Sequence, residues 1–115
     1  MTAISASELD LLTFFECEPE LQDDDVPWVY NDALYQFSAG DYSISCAVAP
    51  SYKDVRLIFK NNEETLYELN AVGVDDVKYH NDGGRETLEI VIKGSNRLWL
   101  HLKPAISVAQ VLKEL

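Results

Sequence analysis

From Ala33 to Lys103 the chain is a succession of short alternating runs separated by turn residues, and this pattern restricts the fold more than any other feature. Apolar and polar residues that alternate with period two lie on opposite faces of a strand. Tyr42 to Ala49 sets Ile44, Cys46 and Val48 against Ser43, Ser45 and Ala47. Asp54 to Lys60 puts Val55, Leu57 and Phe59 in phase, with Ile58 opposite. Thr87 to Lys93 and Arg97 to Lys103 are the clearest pair: Leu88, Ile90 and Ile92 alternate, as do Leu98, Leu100 and Leu102. Gly94-Ser95-Asn96 between them predicts a tight hairpin. Leu34 to Ser38 and Thr65 to Leu69 are further strands, the second extending toward Val72, and Val74 to His80 is a weaker one. Turns are expected at Ala39-Gly40-Asp41, Pro50 to Lys53, Asn61-Asn62-Glu63 and Asn81-Asp82-Gly83-Gly84, the last because glycine accepts positive φ without strain.

A short helix is expected before the strands. Ser5 and Glu8 have capping-box spacing, Ile4 and Leu9 are placed for a hydrophobic staple, and Leu12 and Phe15 continue the apolar stripe. The helix should end near Phe15 to Cys17, ahead of Pro19. Ser107 and Gln110 repeat the capping spacing and predict a C-terminal helix through Leu115, with a strand at Ile106-Ser107-Val108 as the alternative. The expected class is α+β: an antiparallel meander sheet of about six or seven strands with a short N-terminal helix and a C-terminal one. A small β-sandwich or partly closed roll is the main alternative. Ile58, Tyr67, Val91 and Trp99 fall out of phase with the main apolar set, so some strands are covered on both faces or one face is an aromatic binding surface. At 115 residues, a single domain spanning 1–115 is expected.

Charge divides the chain in two. No lysine or arginine precedes Lys53, whereas ten of the twenty acids do: Glu8, Asp10, Glu16, Glu18, Glu20, Asp23, Asp24, Asp25, Asp32 and Asp41. Phosphate backbones are bound by clustered Lys and Arg, so this bias argues against nucleic acid and against an anionic membrane surface. It favours a cationic protein surface or a divalent cation. There is no apolar run of the ~20 residues that a membrane span needs. The N-terminus lacks the basic and apolar regions of a signal peptide, so a cytoplasmic location is expected. Two cysteines, Cys17 and Cys46, then read as free thiols, although the count also permits one disulfide.

Catalytic and metal chemistry find no pattern. A Cys–His pair would have to come from Cys17 or Cys46 with His80 or His101, but Cys46 is in phase with core residues and His101 alternates away from leucines. No His or Cys pair has zinc-ligand spacing. Asp23-Asp24-Asp25 lacks the alternating ligands, central Gly and terminal Glu of a calcium loop. Gly83-Gly84 is explained by a turn, not by a phosphate loop. No enzyme, cofactor or metal is therefore expected.

What remains is the segment from Glu16 to Asp32. Glu8 and Asp10 suit a helix N-terminus and Asp41 a turn, but Glu16, Glu18, Glu20, Asp23, Asp24, Asp25 and Asp32 surround Trp28 and Tyr30 without such a role. Aromatic anchors ringed by carboxylates suit a surface that grips a Lys- and Arg-rich protein. The bland counterpart is that Trp28 and Tyr30 belong to the core and the acids confer solubility. The segment is expected to be an ordered loop with a short extended piece near Trp28.

The run Phe14-Phe15-Glu16-Cys17-Glu18-Pro19-Glu20-Leu21, the triplet Asp23-Asp24-Asp25 and the hairpin meander ending Arg97-Leu98-Trp99-Leu100-His101-Leu102-Lys103-Pro104 together resemble the small acidic immunity proteins of bacterial toxin–immunity systems. The resemblance implies a cytoplasmic non-enzyme that binds and neutralises one cognate toxin domain, often a basic one. The nominated contacts, Glu16, Glu18, Glu20, Asp23, Asp24, Asp25, Trp28, Tyr30 and Asp32, rest on charge and aromatic content alone. The competing expectations are an accessory subunit that assembles through its sheet and a small ligand-binding domain.

Overall fold

The computed structural model describes residues 3–112. The chain starts with helix α1 (Glu8–Phe15) and a two-residue strand β1 (Glu20–Leu21), then a single 3-10 turn (Trp28–Tyr30). Eight longer strands follow: β2 (Ala33–Ala39), β3 (Tyr42–Ala49), β4 (Asp54–Asn61), β5 (Glu64–Ala71), β6 (Asp76–Asp82), β7 (Arg85–Lys93), β8 (Asn96–His101) and β9 (Ser107–Val111). The hairpin turns fall where the sequence places them. Gly83 and Gly84 have φ of 63° and 91° and close the β6–β7 hairpin between Asp82 and Arg85, the double positive φ that a two-residue hairpin turn requires.

The strands form two antiparallel sheets, not the single meander expected. One has the order β1-β2-β3-β4-β5 and the other β6-β7-β8-β9. The cause lies at Val72 to Asp75, where the chain leaves the first sheet. Val74 donates to the Lys53 carbonyl at 2.8 Å and Asp75 to the Val91 carbonyl at 2.8 Å. The chain thus crosses from a turn of the first sheet to a strand of the second.

Register shows which faces meet. In the first sheet Tyr35 pairs with Cys46, Cys46 with Leu57, and Leu57 with Leu69. In the second Val77 pairs with Ile90 and Ile90 with Leu98, while Leu88 pairs with Leu100. These residues from both sheets belong to one core cluster, with Leu69 partly buried against it, and Leu11, Phe14 and Phe15 of α1 join it. Ile58, Val91 and Trp99 point outward as their phase predicts. Tyr67 does not: it pairs with Phe59, packs against the core, and donates its hydroxyl to Gln110 Oε1 at 2.6 Å. Tyr67 is two residues from Leu69 and four from Ala71 on a regular stretch of β5, and it shares their inward face.

The helix is capped two residues later than Ser5. Ser7 accepts from the Asp10 amide, and Asp10 accepts from the Ser7 amide, both at 3.0 Å. Leu9 is 69% exposed and makes no staple. Ser5 instead gives both its amide and its hydroxyl to Asp76, while Ala6 donates to the Val77 carbonyl at 2.8 Å. The N-terminal segment thereby covers the free edge of β6, which the capping reading had left open.

The C-terminal helix is also corrected. Residues Ser107–Val111 pair with β8, Val108 opposite Leu100 and Gln110 opposite Leu98. A helix this short is marginal by itself, whereas the unpaired backbone groups of β8 need a partner. The expected continuation at 113–115 lies outside the described residues. The segment before β9 contains a cis Lys103–Pro104 bond.

Two predictions follow from the packing. Phe15→Ala should cost about 3–5 kcal/mol in urea unfolding, as expected for emptying a buried ring position. The second concerns Asp76, whose burial opposes ionisation; hydrogen bonds from the Ser5 hydroxyl, the Ser5 amide and the Val77 amide outweigh it and hold the carboxyl below its usual range. Stabilisation by this ionised group is complete above the ordinary carboxylate pKa and is lost as pH falls through the depressed one. The stability gap between wild type and Ser5→Ala should therefore be widest near neutrality and narrow toward pH 3. A gap that stays constant across that range would refute the role of Asp76.

Candidate functional site

The segment between β1 and β2 is a folded loop built on one side chain. Asn31 is buried, and its amide group meets four backbone groups. Its Nδ2 donates to the Asp23 carbonyl at 2.6 Å and the Val26 carbonyl at 2.9 Å, and its Oδ1 accepts from the amides of Asp32 at 2.9 Å and Asp23 at 3.3 Å. Asp23 Oδ1 then accepts from the Asp25 amide at 3.0 Å, the local turn that aspartate favours. Asp23, Asp24 and Asp25 are thus held exposed at a fixed tip.

The two rings of the segment divide in role. Trp28 is half-buried, packs against the core, and donates its indole N–H to the Tyr35 hydroxyl at 2.9 Å. Tyr35 in turn stacks on Phe15, with centroids 4.8 Å apart, and burial pushes its hydroxyl up to about 12 despite the Trp28 hydrogen bond. Tyr30 is 58% exposed. The expected extended piece is at Glu20–Leu21, and the Trp28 region is a 3-10 turn.

A second exposed ring joins Tyr30. The Ser51 amide donates to the Val29 carbonyl at 3.0 Å, which docks the β3–β4 turn, with Tyr52 73% exposed on it, against the 3-10 turn that carries Tyr30. Sequence reasoning treated Tyr52 only as part of a strand break. The missed signal is a large ring at a turn, where the backbone runs over the surface and nothing buries it.

The carboxylates separate into three places. Asp23, Asp24 and Asp25 crown the tip. Glu16 ends the helix in a left-handed conformation and pairs with Lys103, away from the tip, and Glu18 is exposed between the two regions. Glu20 and Asp32 border a cleft of about 380 Å³ on the outer face of the five-stranded sheet. Its floor is β3, whose outward residues Ser43, Ser45, Ala47 and Ala49 are all small. Leu34 and Ile58 rise on the flanking strands β2 and β4. Arg56 reaches across β3 from β4 to meet Asp32 Oδ2 at 2.6 Å, and Glu68 stands on the far strand beside Ile58.

The remaining reactive groups are held in other networks. Cys46 is buried and its thiol is pushed up to about 12 by burial. Cys17 donates to the Gln36 carbonyl, and both cysteines are free. On the outer face of the four-stranded sheet, the buried Glu89 pairs with Arg97 at 2.9 Å and with His80 at 2.8 Å, beside Trp99. His101 shares hydrogen bonds with Thr87 and Ser107. Among the described residues no group of three or more His, Cys, Asp or Glu side chains is placed to hold a metal ion, and no helix is long and apolar enough to cross a membrane.

No protein-family model and no curated protein matches the sequence. Among solved structures, the fold is similar to that of a chain in a contact-dependent growth inhibition toxin–immunity protein complex from Klebsiella pneumoniae 342. The TM-score is 0.79 at 19% sequence identity, over 96% of this chain and 98% of that one. The likeness is one of fold.

Asn31→Ala should remove four hydrogen bonds and leave buried backbone groups without partners. The expected cost is about 1–3 kcal/mol, with amide hydrogen exchange accelerating at Asp23 and Asp32, whose amides lose their acceptor, and unchanged in β7 and β8. Exchange that accelerates equally everywhere would show global destabilisation in place of a released loop.

Proposed function

We propose that the protein is an immunity protein, a non-enzymatic inhibitor that binds and neutralises one cognate toxin domain of basic character in the cytoplasm. The observation that carries this reading is the likeness in fold to a chain of a toxin–immunity complex over nearly the whole length of both chains. Charge supports the inhibitory role in such a pair. With a net charge of −11 and no base before Lys53, the chain complements a cationic domain and repels other acidic proteins.

The proposed contact surface is the acidic–aromatic end: Asp23, Asp24 and Asp25 at the tip, Tyr30 with Tyr52 as exposed rings, and Glu20 and Asp32 at the adjoining cleft. Trp28 contributes by fixing the loop on the core. Glu16 and Glu18 extend the acidic field and make the peripheral part of the surface. The carboxylates accelerate encounter, and the rings supply short-range affinity once water is displaced.

The test is whether the gene immediately upstream encodes a toxin-like C-terminal domain and, if it does, protection of growth on co-expression with that domain, together with binding kinetics for the purified pair. Asp23→Asn, Asp24→Asn and Asp25→Asn combined should slow association about tenfold at low salt and flatten its salt dependence, with a smaller effect on dissociation. An unchanged rate and salt slope would remove the tip from the interface. Failure of the wild-type chain to bind or protect would remove the inhibitory reading altogether.

A further inference from the structure

The cleft on the outer face of the five-stranded sheet has a construction that the acidic tip does not share. The register places Glu20 directly across from Leu34, and Ile58 directly across from Glu68. Each is an aliphatic side chain with a carboxylate as its cross-strand neighbour, their Cβ atoms about 5 Å apart. The two pairs stand on either side of the floor formed by Ser45 and Ala47. Leu34 stands opposite Ala47 and Ile58 opposite Ser45, so the two aliphatic residues lie diagonally, about 12 Å apart across β3.

We propose that this face is a two-seat receptor for lysine or arginine side chains presented by one segment of the partner protein. The aliphatic stem of each side chain lies on Leu34 or Ile58, and its cationic head meets Glu20 or Glu68. Long cationic side chains bury their methylenes along apolar surface while the head stays polar, and each seat offers both environments one strand apart. Charge complementarity selects the occupant. Three carboxylates line the cleft against one guanidinium, and Arg56 is already engaged by Asp32. Glu20 and Glu68 have no ion-pair partner among the described residues. An anionic group would meet like charge, and a purely apolar one would strip water from carboxylates and return nothing. Arg56 crosses the floor from beside Ala47, and the small Ser45 beyond it leaves room for the backbone that joins the two side chains.

The existence of a protein partner rests on the function proposed above, but the seats can be tested without it. The probe is n-butylguanidinium, titrated at millimolar concentration into the isotope-labelled protein and followed by amide chemical shifts, with n-butanol as the uncharged control. Shifts are expected at Glu20, Leu34, Ile58 and Glu68, at least several-fold larger than with n-butanol. Glu20→Gln should abolish those around Leu34 only, and Glu68→Gln those around Ile58 only. Absence of shifts at the cleft, equal shifts with n-butanol, or shifts that survive in the Glu20→Gln/Glu68→Gln double variant would overturn the proposal. In the growth assay, Glu20→Lys/Glu68→Lys should lose protection. Full protection by that variant would overturn the role of the seats and leave the immunity reading standing, whereas lack of protection by the wild type would overturn only the latter.

Discussion

The adjacent rings Phe14 and Phe15, at the end of α1, are the constraint on which the rest of this structure depends. Their edge-to-face contact, 5.0 Å between centroids, turns one ring toward each sheet: Phe15 stacks on Tyr35 of the five-stranded sheet, and Phe14 meets Tyr79 of the four-stranded sheet at 6.2 Å. Two sheets that face each other have open sides where their inner residues would be wetted. Here an eight-residue helix closes one such side with two side chains. The Tyr67–Gln110 hydrogen bond ties the edge strands β5 and β9 together elsewhere.

The same rings govern the proposed contact surface from inside. Phe15 fixes Tyr35, the Tyr35 hydroxyl fixes the Trp28 indole, and Trp28 roots the loop that Asn31 folds. The exposed acids and Tyr30 are therefore positioned by buried groups, so a partner would meet a preformed surface. A surface ordered before binding loses less conformational entropy when a complex forms. The outer face of the first sheet owes its shape to a simpler cause, since small residues on a central strand leave a depression between larger neighbours.

The local pattern was legible in the sequence, and the arrangement in space was not. Period-two alternation in β3, β4, β7 and β8 identifies the strands, their inward residues and even the small outward row Ser43, Ser45 and Ala47. It carries no information on which strands share a sheet. The split depends on two backbone hydrogen bonds around Val74 and Asp75, which no propensity encodes. The capping error has the same origin. Ser5 and Ser7 are equivalent as local signals, and the choice between them is made by Asp76, a residue far along the chain. At the site, the acids and Tyr30 were found through composition and Ile58 through its phase, while Tyr52 and Glu68 arrived through tertiary pairing.

The docking of the N-terminus on β6 has a consequence for how the chain matures. Ser5 finds its partner 71 residues later, and Glu16 pairs with Lys103, 87 residues later. The helix is synthesised before either sheet; Phe15 gains Tyr35 as soon as β2 is made, but Phe14 has no Tyr79 until the second sheet begins. Hairpins β2–β3 and β4–β5 can close in the order they emerge, being local in sequence. Docking of α1 is thus completed late, and a nascent chain halted before β6 would leave Phe14 without Tyr79 and the inner face of the first sheet uncovered. Such a fragment would offer apolar surface to proteases and aggregation, so docking of the helix through Ser5 and Phe14 depends on the second sheet being made.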